Sequence, residues 1–259
     1  MNKILRGFIT AMRTLTVLRL PGRDALSLAA ALPWFPLVGC FVSAAVGLVL
    51  DGVMEWLHWS SGAAVLAVLT SVLLTGGLHL DGLADTVDGW RGGRTRERRL
   101  DIMKDSRIGA MGAMALILVL LLQMVALARL AGVMRVALLL LPLAYILSRL
   151  AMVLLAVSLP YARAGGGTAE QFVKDARGWH FIVALLLAAA LCGLLAGPVG
   201  LVAVFVALLV TLALRLWMRN LFGGVTGDLL GCASVVVETV LLFLLGAVAP
   251  RLGPLPLLF

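Results

Sequence analysis

Charge is what this chain has least of. Asp, Glu, Lys and Arg make up 13% of its 259 residues, against about 25% in an ordinary soluble domain. Hydrophobic residues reach 62% and the mean hydropathy is +1.10. A soluble core of this length could not hide so much apolar surface, so lipid must cover it. Cysteine is also scarce. The three residues Cys40, Cys192 and Cys232 are odd in number, fit no zinc or redox spacing, and lie in or beside apolar runs. That excludes a disulfide framework and reads as small buried hydrophobes. No polar stretch is long enough for a separate soluble module, so residues 1–259 read as one membrane domain. The first residues lack the unbroken apolar centre of a cleavable signal peptide, and no inverted repeat is evident.

What is present is a series of apolar runs, each near the roughly 17–25 residues that span a bilayer. They fall at about 32–50, 61–78, 109–128, 135–159, 180–196, 200–218 and 232–249. The expected fold is therefore all-α, a polytopic integral membrane helix bundle of about seven transmembrane helices. Gly197, Pro198 and Gly200 break the run from 180 to 218; a re-entrant hairpin and two spans both fit, and two spans is preferred. In the segment 1–31, Leu5, Phe8, Ile9, Met12 and Leu15 recur at helical spacing among five basic residues. This predicts an amphipathic interfacial helix on the cytoplasmic membrane surface.

The net charge of +8 follows from topology and implies no nucleic-acid partner. Seventeen of the 21 Lys and Arg residues fall in 1–31, 79–108, 160–179 and 215–231. Those segments all lie on one side if the N-terminus is inside, which predicts a multi-pass protein of the cytoplasmic (inner) membrane with its N-terminus in the cytoplasm. Ten of the 13 acids share that side, so chemistry is expected there. His58 between Trp56 and Trp59 reads as an interfacial belt on the far side, and His180 beside Trp179 as one on the near side.

The informative stretch is His79-Leu80-Asp81-Gly82-Leu83-Ala84-Asp85-Thr86-Val87-Asp88-Gly89, within the cytoplasmic segment 79–108. Asp81, Asp85 and Asp88 stand at i, i+4 and i+7, one face of a helix. Three carboxylates so close repel one another unless a cation sits among them. A hard divalent ion with oxygen ligands, Mg²⁺ where phosphates are handled, suits that need. Asp101 and Asp105, expected to share a second helix face, would complete a site for one or two metal ions. Lys104, Arg107 and Arg91 are candidate phosphate partners. A third polar island contributes Gly223, Gly224 and Thr226, whose backbone could approach a phosphate closely, and Asp228. Glu238 is ionisable within the last span, and Arg149 is its expected partner. Each feature has a plainer rival: solvated helix ends for the acids, topology for the basic loop, a simple connection for the glycines, a cap for His79.

The run HLDGLADTVDG, the stretch IMKDSRIGAMG and the island GGVTGD with a downstream Glu together resemble the cobalamin synthase (adenosylcobinamide-GDP ribazoletransferase) family. The turn Phe35-Pro36-Leu37-Val38-Gly39 and the segment with Phe8, Thr10 and Arg13 are similar to it as well. Val87 sits where a small residue is expected. The resemblance covers the whole chain. It implies a Mg²⁺-dependent transferase that joins adenosylcobinamide-GDP to α-ribazole or its 5′-phosphate and releases GMP. The needs of phosphoryl transfer then give Asp81, Asp85 and Asp88, with Asp105 and Asp101 completing the set, the expected metal role. Asp228 or His79 would take the ribose proton, and Arg107 and Lys104 would neutralise the leaving nucleotide. Self-association into a homo-oligomer is left open. The runners-up are a CDP-alcohol phosphotransferase acting on a lipid alcohol, whose Asp spacing is missing here, and an ion-coupled transporter, which would spread its carboxylates through the bilayer depth.

Overall fold

The structure is a computed structural model and describes residues 3–167 and 169–252. Among them the regular elements are ten α-helices and two 3-10 turns. The nearest thing to a strand is an isolated bridge between Tyr161 and Val225. Five helices are long and apolar enough to cross a membrane, or six when one bent pair counts as a crossing. This is the polytopic α-helical architecture that the apolar runs predict.

α7 (Met134–Ser158) is the central post, packed by α2 (Phe35–Leu57), α9 (Gly178–Phe222) and α10 (Gly227–Val248). Helices approach closely in lipid through small residues, and Gly39 shows why. A Cβ there would lie 2.3 Å from the Tyr145 carbonyl oxygen of α7. α6 (Ala110–Ala131) is peripheral and turns Ile117, Leu118, Leu121 and Val125 outward, as a lipid-facing helix must.

The break expected near residue 197 is present. Gly197 has φ 53° and ψ −130°, which no helix contains. On a continuous helix residues 192 and 200 would be about 12 Å apart, yet a Cβ on Gly200 would lie 1.9 Å from the Cys192 carbonyl oxygen. α9 therefore folds back on itself, with arms over 178–196 and 198–222. By length and composition the described crossings number five to six, near the seven expected.

That bent pair is α3 (Ser60–Thr75) and α4 (Leu78–Gly92), which meet at 89°. Gly76 and Gly77, at φ 62° and 71°, make the corner in a left-handed conformation that glycine adopts without strain. The apolar helix stops there, and the charged helix turns off to pack across α6 and α10.

α1 (Lys3–Leu15) is amphipathic, but its apolar face is turned to protein rather than lying free on lipid. Ile9, Met12 and Leu15 are buried. Phe8 meets Trp34 edge-on at 6.1 Å, on the 3-10 turn Leu28–Trp34. Leu5 and Ile4 stay exposed. Arg13 donates to the Leu20 and Gly22 carbonyls and pairs with Asp24, while Thr10 donates to Asp24 and accepts from the Ala25 N–H. These side chains fix the loop into the bundle.

His58 caps α2 in a left-handed conformation, with Trp56 and Trp59 exposed beside it. His180 is not a belt residue. It is buried, stacks on Trp179 at 3.8 Å and accepts the Arg177 N–H through Nδ1, which caps α9.

Candidate active site

α4 and α10 meet at Gly82, where a Cβ would lie 2.6 Å from the Asp228 carbonyl oxygen. That approach brings Asp228 beside the acidic face of α4. Thr226 caps α10 by accepting the Leu229 N–H, and Asp228 occupies the first turn, where the helix dipole favours a carboxylate. Asp81 is exposed and Asp85 half-buried. Partial burial, then the charges of Asp81 and Asp228, push the Asp85 carboxyl up to about 6 against the pull of Arg163. Asp81, Asp85 and Asp228 thus form one region of excess negative charge.

Asp88 lies on α4 as expected but has other partners. Its two oxygens accept the N–H groups of Gly109 at 2.7 Å and Gly112 at 2.8 Å, so it caps α6 from a neighbouring helix. Asp101 and Asp105 do not share a helix face. α5 (Arg96–Ile102) ends before Asp105, because the chain must turn toward Gly109. Asp105 is exposed and held by Arg107, 2.6 Å away, which draws its carboxyl down to about 2. Lys104 and Asp101 are exposed, and Arg91 lies over the Trp90 ring at 5.7 Å. Among the described residues no three His, Cys, Asp or Glu side chains form a ready-made metal cage. The all-carboxylate donors and crowded charge at Asp81, Asp85 and Asp228 nevertheless match what a hard, oxygen-seeking divalent ion requires.

The glycine island works differently from the phosphate loop expected of it. Gly223, at φ 72°, ends α9, and a Cβ there would strike the Arg96 guanidinium at 2.5 Å; one on Gly224 would strike the Pro160 carbonyl at 2.2 Å. Val225 donates to Pro160 and Ala162 donates to Val225. The glycines let two chain segments lock together, and Thr226 is fully buried as a cap. Arg96 and Arg99 bind the carbonyls of Ala162 and Leu221, so part of the basic loop is structural.

That lock carries a residue the sequence did not single out. Arg163 pairs with Asp228 at 2.6 Å and reaches the Met103 carbonyl at 3.3 Å. Its Nε is buried without an acceptor among the described residues. A surplus of acids facing a basic connection was the available signal, but Arg163 counted only toward topology. Arg163 lines a cleft of about 520 Å³ with Glu170 and Lys174. Asp228 and His79 line a second cavity, of about 390 Å³. The salt bridge therefore has one partner on each space. His79 is buried, and its Nε2 also lacks a partner.

Deeper in the bundle Arg149 and Glu238 form the expected ion pair. Ser148 accepts from Arg149 at 2.7 Å, and Arg149 lies 5.5 Å from the Tyr145 ring centre.

Residues 7–246 match the family model described as cobalamin-5-phosphate synthase. The chain is 43% identical over 239 residues to adenosylcobinamide-GDP ribazoletransferase of Chlorobaculum tepidum, covering 91% of this chain and 92% of that one. The same-named protein of Chlorobaculum parvum is 43% identical over 256 residues, covering 93% and 94%. That of Syntrophobacter fumaroxidans is 42% identical over 244 residues, covering 91% and 96%. No solved structure matches the chain.

Proposed function

The chain belongs to the cobalamin-5-phosphate synthase family, and from that premise we infer the reaction of its polar end. It is a ribazoletransferase of cobalamin synthesis. A ribose hydroxyl of α-ribazole, or of its 5′-phosphate, attacks the phosphate that joins the corrinoid arm of adenosylcobinamide-GDP to GMP. A new phosphodiester forms, the pyrophosphate bond breaks and GMP leaves. The polar end faces the cytoplasm of the inner membrane, where the basic segments gather.

The observation that carries this reading is the juxtaposition of Asp85, Asp81 and Asp228 with the partly unsatisfied Arg163. Phosphoryl transfer depends on positioning and on neutralising charge. Asp81 and Asp85 are the groups that would hold Mg²⁺, with Asp88 behind them fixing α4 against α6. The chemistry a bound Mg²⁺ supplies is neutralisation of the pyrophosphate oxygens. Arg163, which lines the larger cleft, binds a phosphate oxygen on the leaving side. Asp228, held by Arg163, orients the attacking hydroxyl and accepts its proton. Lys104 and Arg107, exposed on the rim, meet the nucleotide as it arrives.

Purified protein in detergent, given adenosylcobinamide-GDP, α-ribazole and Mg²⁺, should release GMP and the joined corrinoid in equal amounts, and EDTA should stop both. Folded protein that yields neither product would sink the reaction.

A further inference from the structure

We propose that the cavity beside Asp228 seats the aromatic base of the acceptor, the flat bicyclic heterocycle of α-ribazole, with its ribose turned toward the Arg163–Asp228 pair. This rests on the reaction inferred above and adds to it which part of which substrate lies where.

Size and lining select the occupant. The cavity holds about 390 Å³ and is walled by Leu15, Leu32, Phe35, Met152, Phe172 and Leu230. That is near the lower end of small-ligand pockets, about 300–1,000 Å³. The reaction must hold a corrinoid, a guanine nucleotide and an acceptor. The corrin macrocycle is too large for this space, and the guanine ring carries several hydrogen-bonding groups that the apolar walls would leave unpaired at high cost. The acceptor's base alone is small, flat and uncharged. Phe35 and Phe172, with ring centres 6.1 Å apart and planes inclined at 55°, give it aromatic surface to pack against.

Two polar features fit the same occupant. His79 lines the wall, and its buried Nε2 has no partner among the described residues. A benzimidazole linked to ribose through one nitrogen keeps its second ring nitrogen free, and pairing the two removes an unmet hydrogen bond. The other feature is the exit. Asp228 lines this cavity, and the Arg163 bound to it lines the larger cleft with Lys174. An acceptor seated by its base would present its sugar hydroxyl at the carboxylate, while the phosphates approach from the guanidinium side. The bond that forms and the bond that breaks would then lie across one salt bridge.

The test uses two variants of the full-length protein in detergent. Ala169→Phe fills the cavity and Phe172→Ala enlarges it; both positions line it. Ala169→Phe should raise KM for α-ribazole tenfold or more and leave KM for adenosylcobinamide-GDP within twofold. Equilibrium binding of α-ribazole, measured without the corrinoid, should weaken by the same factor. Phe172→Ala should shift preference toward a riboside with a larger, three-ring base. Unchanged α-ribazole binding in Ala169→Phe would overturn the proposal, as would a rise in KM confined to adenosylcobinamide-GDP. A tightly held acyl chain in the cavity of active, α-ribazole-saturated protein would also overturn it. Wild-type turnover tests the reaction separately, because the binding measurement needs no product.

Discussion

Two of the molecule's clusters of opposed charge, one interior and one at the polar end, are built on opposite principles. In the bundle interior Arg149 and Glu238 are almost wholly enclosed, with side chains 2% and 8% exposed. One cation meets one anion there, and Ser148 takes a further hydrogen bond from the guanidinium. At the polar end Asp81, Asp85 and Asp228 face a single nearby cation, Arg163. The first cluster is balanced because an unpaired charge in lipid is costly. The second is left in excess where water reaches it, an arrangement that a bound cation would balance. Under the proposed function, charges that hold the fold are matched inside the chain, and charges that serve the reaction would be matched by what binds.

The largest effect separates the two clusters by activity. Asp85→Asn should lower ribazoletransferase turnover at least about a thousandfold, since a lost metal contact removes several kcal/mol of transition-state stabilisation. Membrane insertion and the detergent melting curve should survive. Turnover close to wild type would show that the surplus charge has no catalytic use. In the interior, Arg149→Met should instead cost stability, about 3–5 kcal/mol, because Glu238 is left buried and alone. The double variant Arg149→Met with Glu238→Leu should regain most of that loss. If the single and double variants melt alike, the pair is not the balanced unit described here.

A smaller effect probes how the surplus is assembled. Gly82→Ala forces a Cβ against the Asp228 backbone and should destabilise the protein by about 1–3 kcal/mol, the usual cost of overpacking. Gly52→Ala, on α2 with nothing within 4 Å of the added atom, is the control and should be neutral or slightly stabilising. Equal melting temperatures for the two variants would break the claim that the α4–α10 contact places Asp228.

How far the sequence was legible follows the range of each interaction. The crossings and the corner at Gly197 are local, written in apolar length and in Gly-Pro chemistry. The acidic face of α4 is equally local. Asp88 was legible as an acid on that face, but its use as a cap depends on N–H groups 21 and 24 residues away. Arg163 finds Asp228 across 65 residues, and no periodicity encodes that pairing. Gly223 and Gly224 were ambiguous for another reason. Close packing of two chain segments and close approach to a phosphate require the same residue, and only the neighbours, Arg96 and Pro160, distinguish them. Asp105 was read as helical by spacing, although helix α5 had already ended.

The smallest expected effect tests whether the surplus at the polar end is a real electrostatic cost. The Asp85 carboxyl is raised to about 6, whereas an unfolded chain holds Asp near 3.9. Below about pH 4 both states are protonated, and the group contributes nothing to stability. Between about 4 and 6 the unfolded chain ionises first, so the folded state loses stability as pH rises. Above about 6 the penalty is constant. Asn cannot ionise and avoids it. In EDTA, Asp85→Asn should therefore melt above wild type at pH 7–8, by about 2–4 °C at most, since solvent reaches the half-buried side chain and screens it. The difference should shrink as pH falls through 6 and vanish near 4. Adding Mg²⁺ at pH 7–8 should reverse the order, because only the wild type retains the full set of carboxylates. A variant that melts with wild type at every pH, with and without Mg²⁺, would mean that Asp85 carries no unmet charge. The contrast with the Arg149–Glu238 pair would then fail.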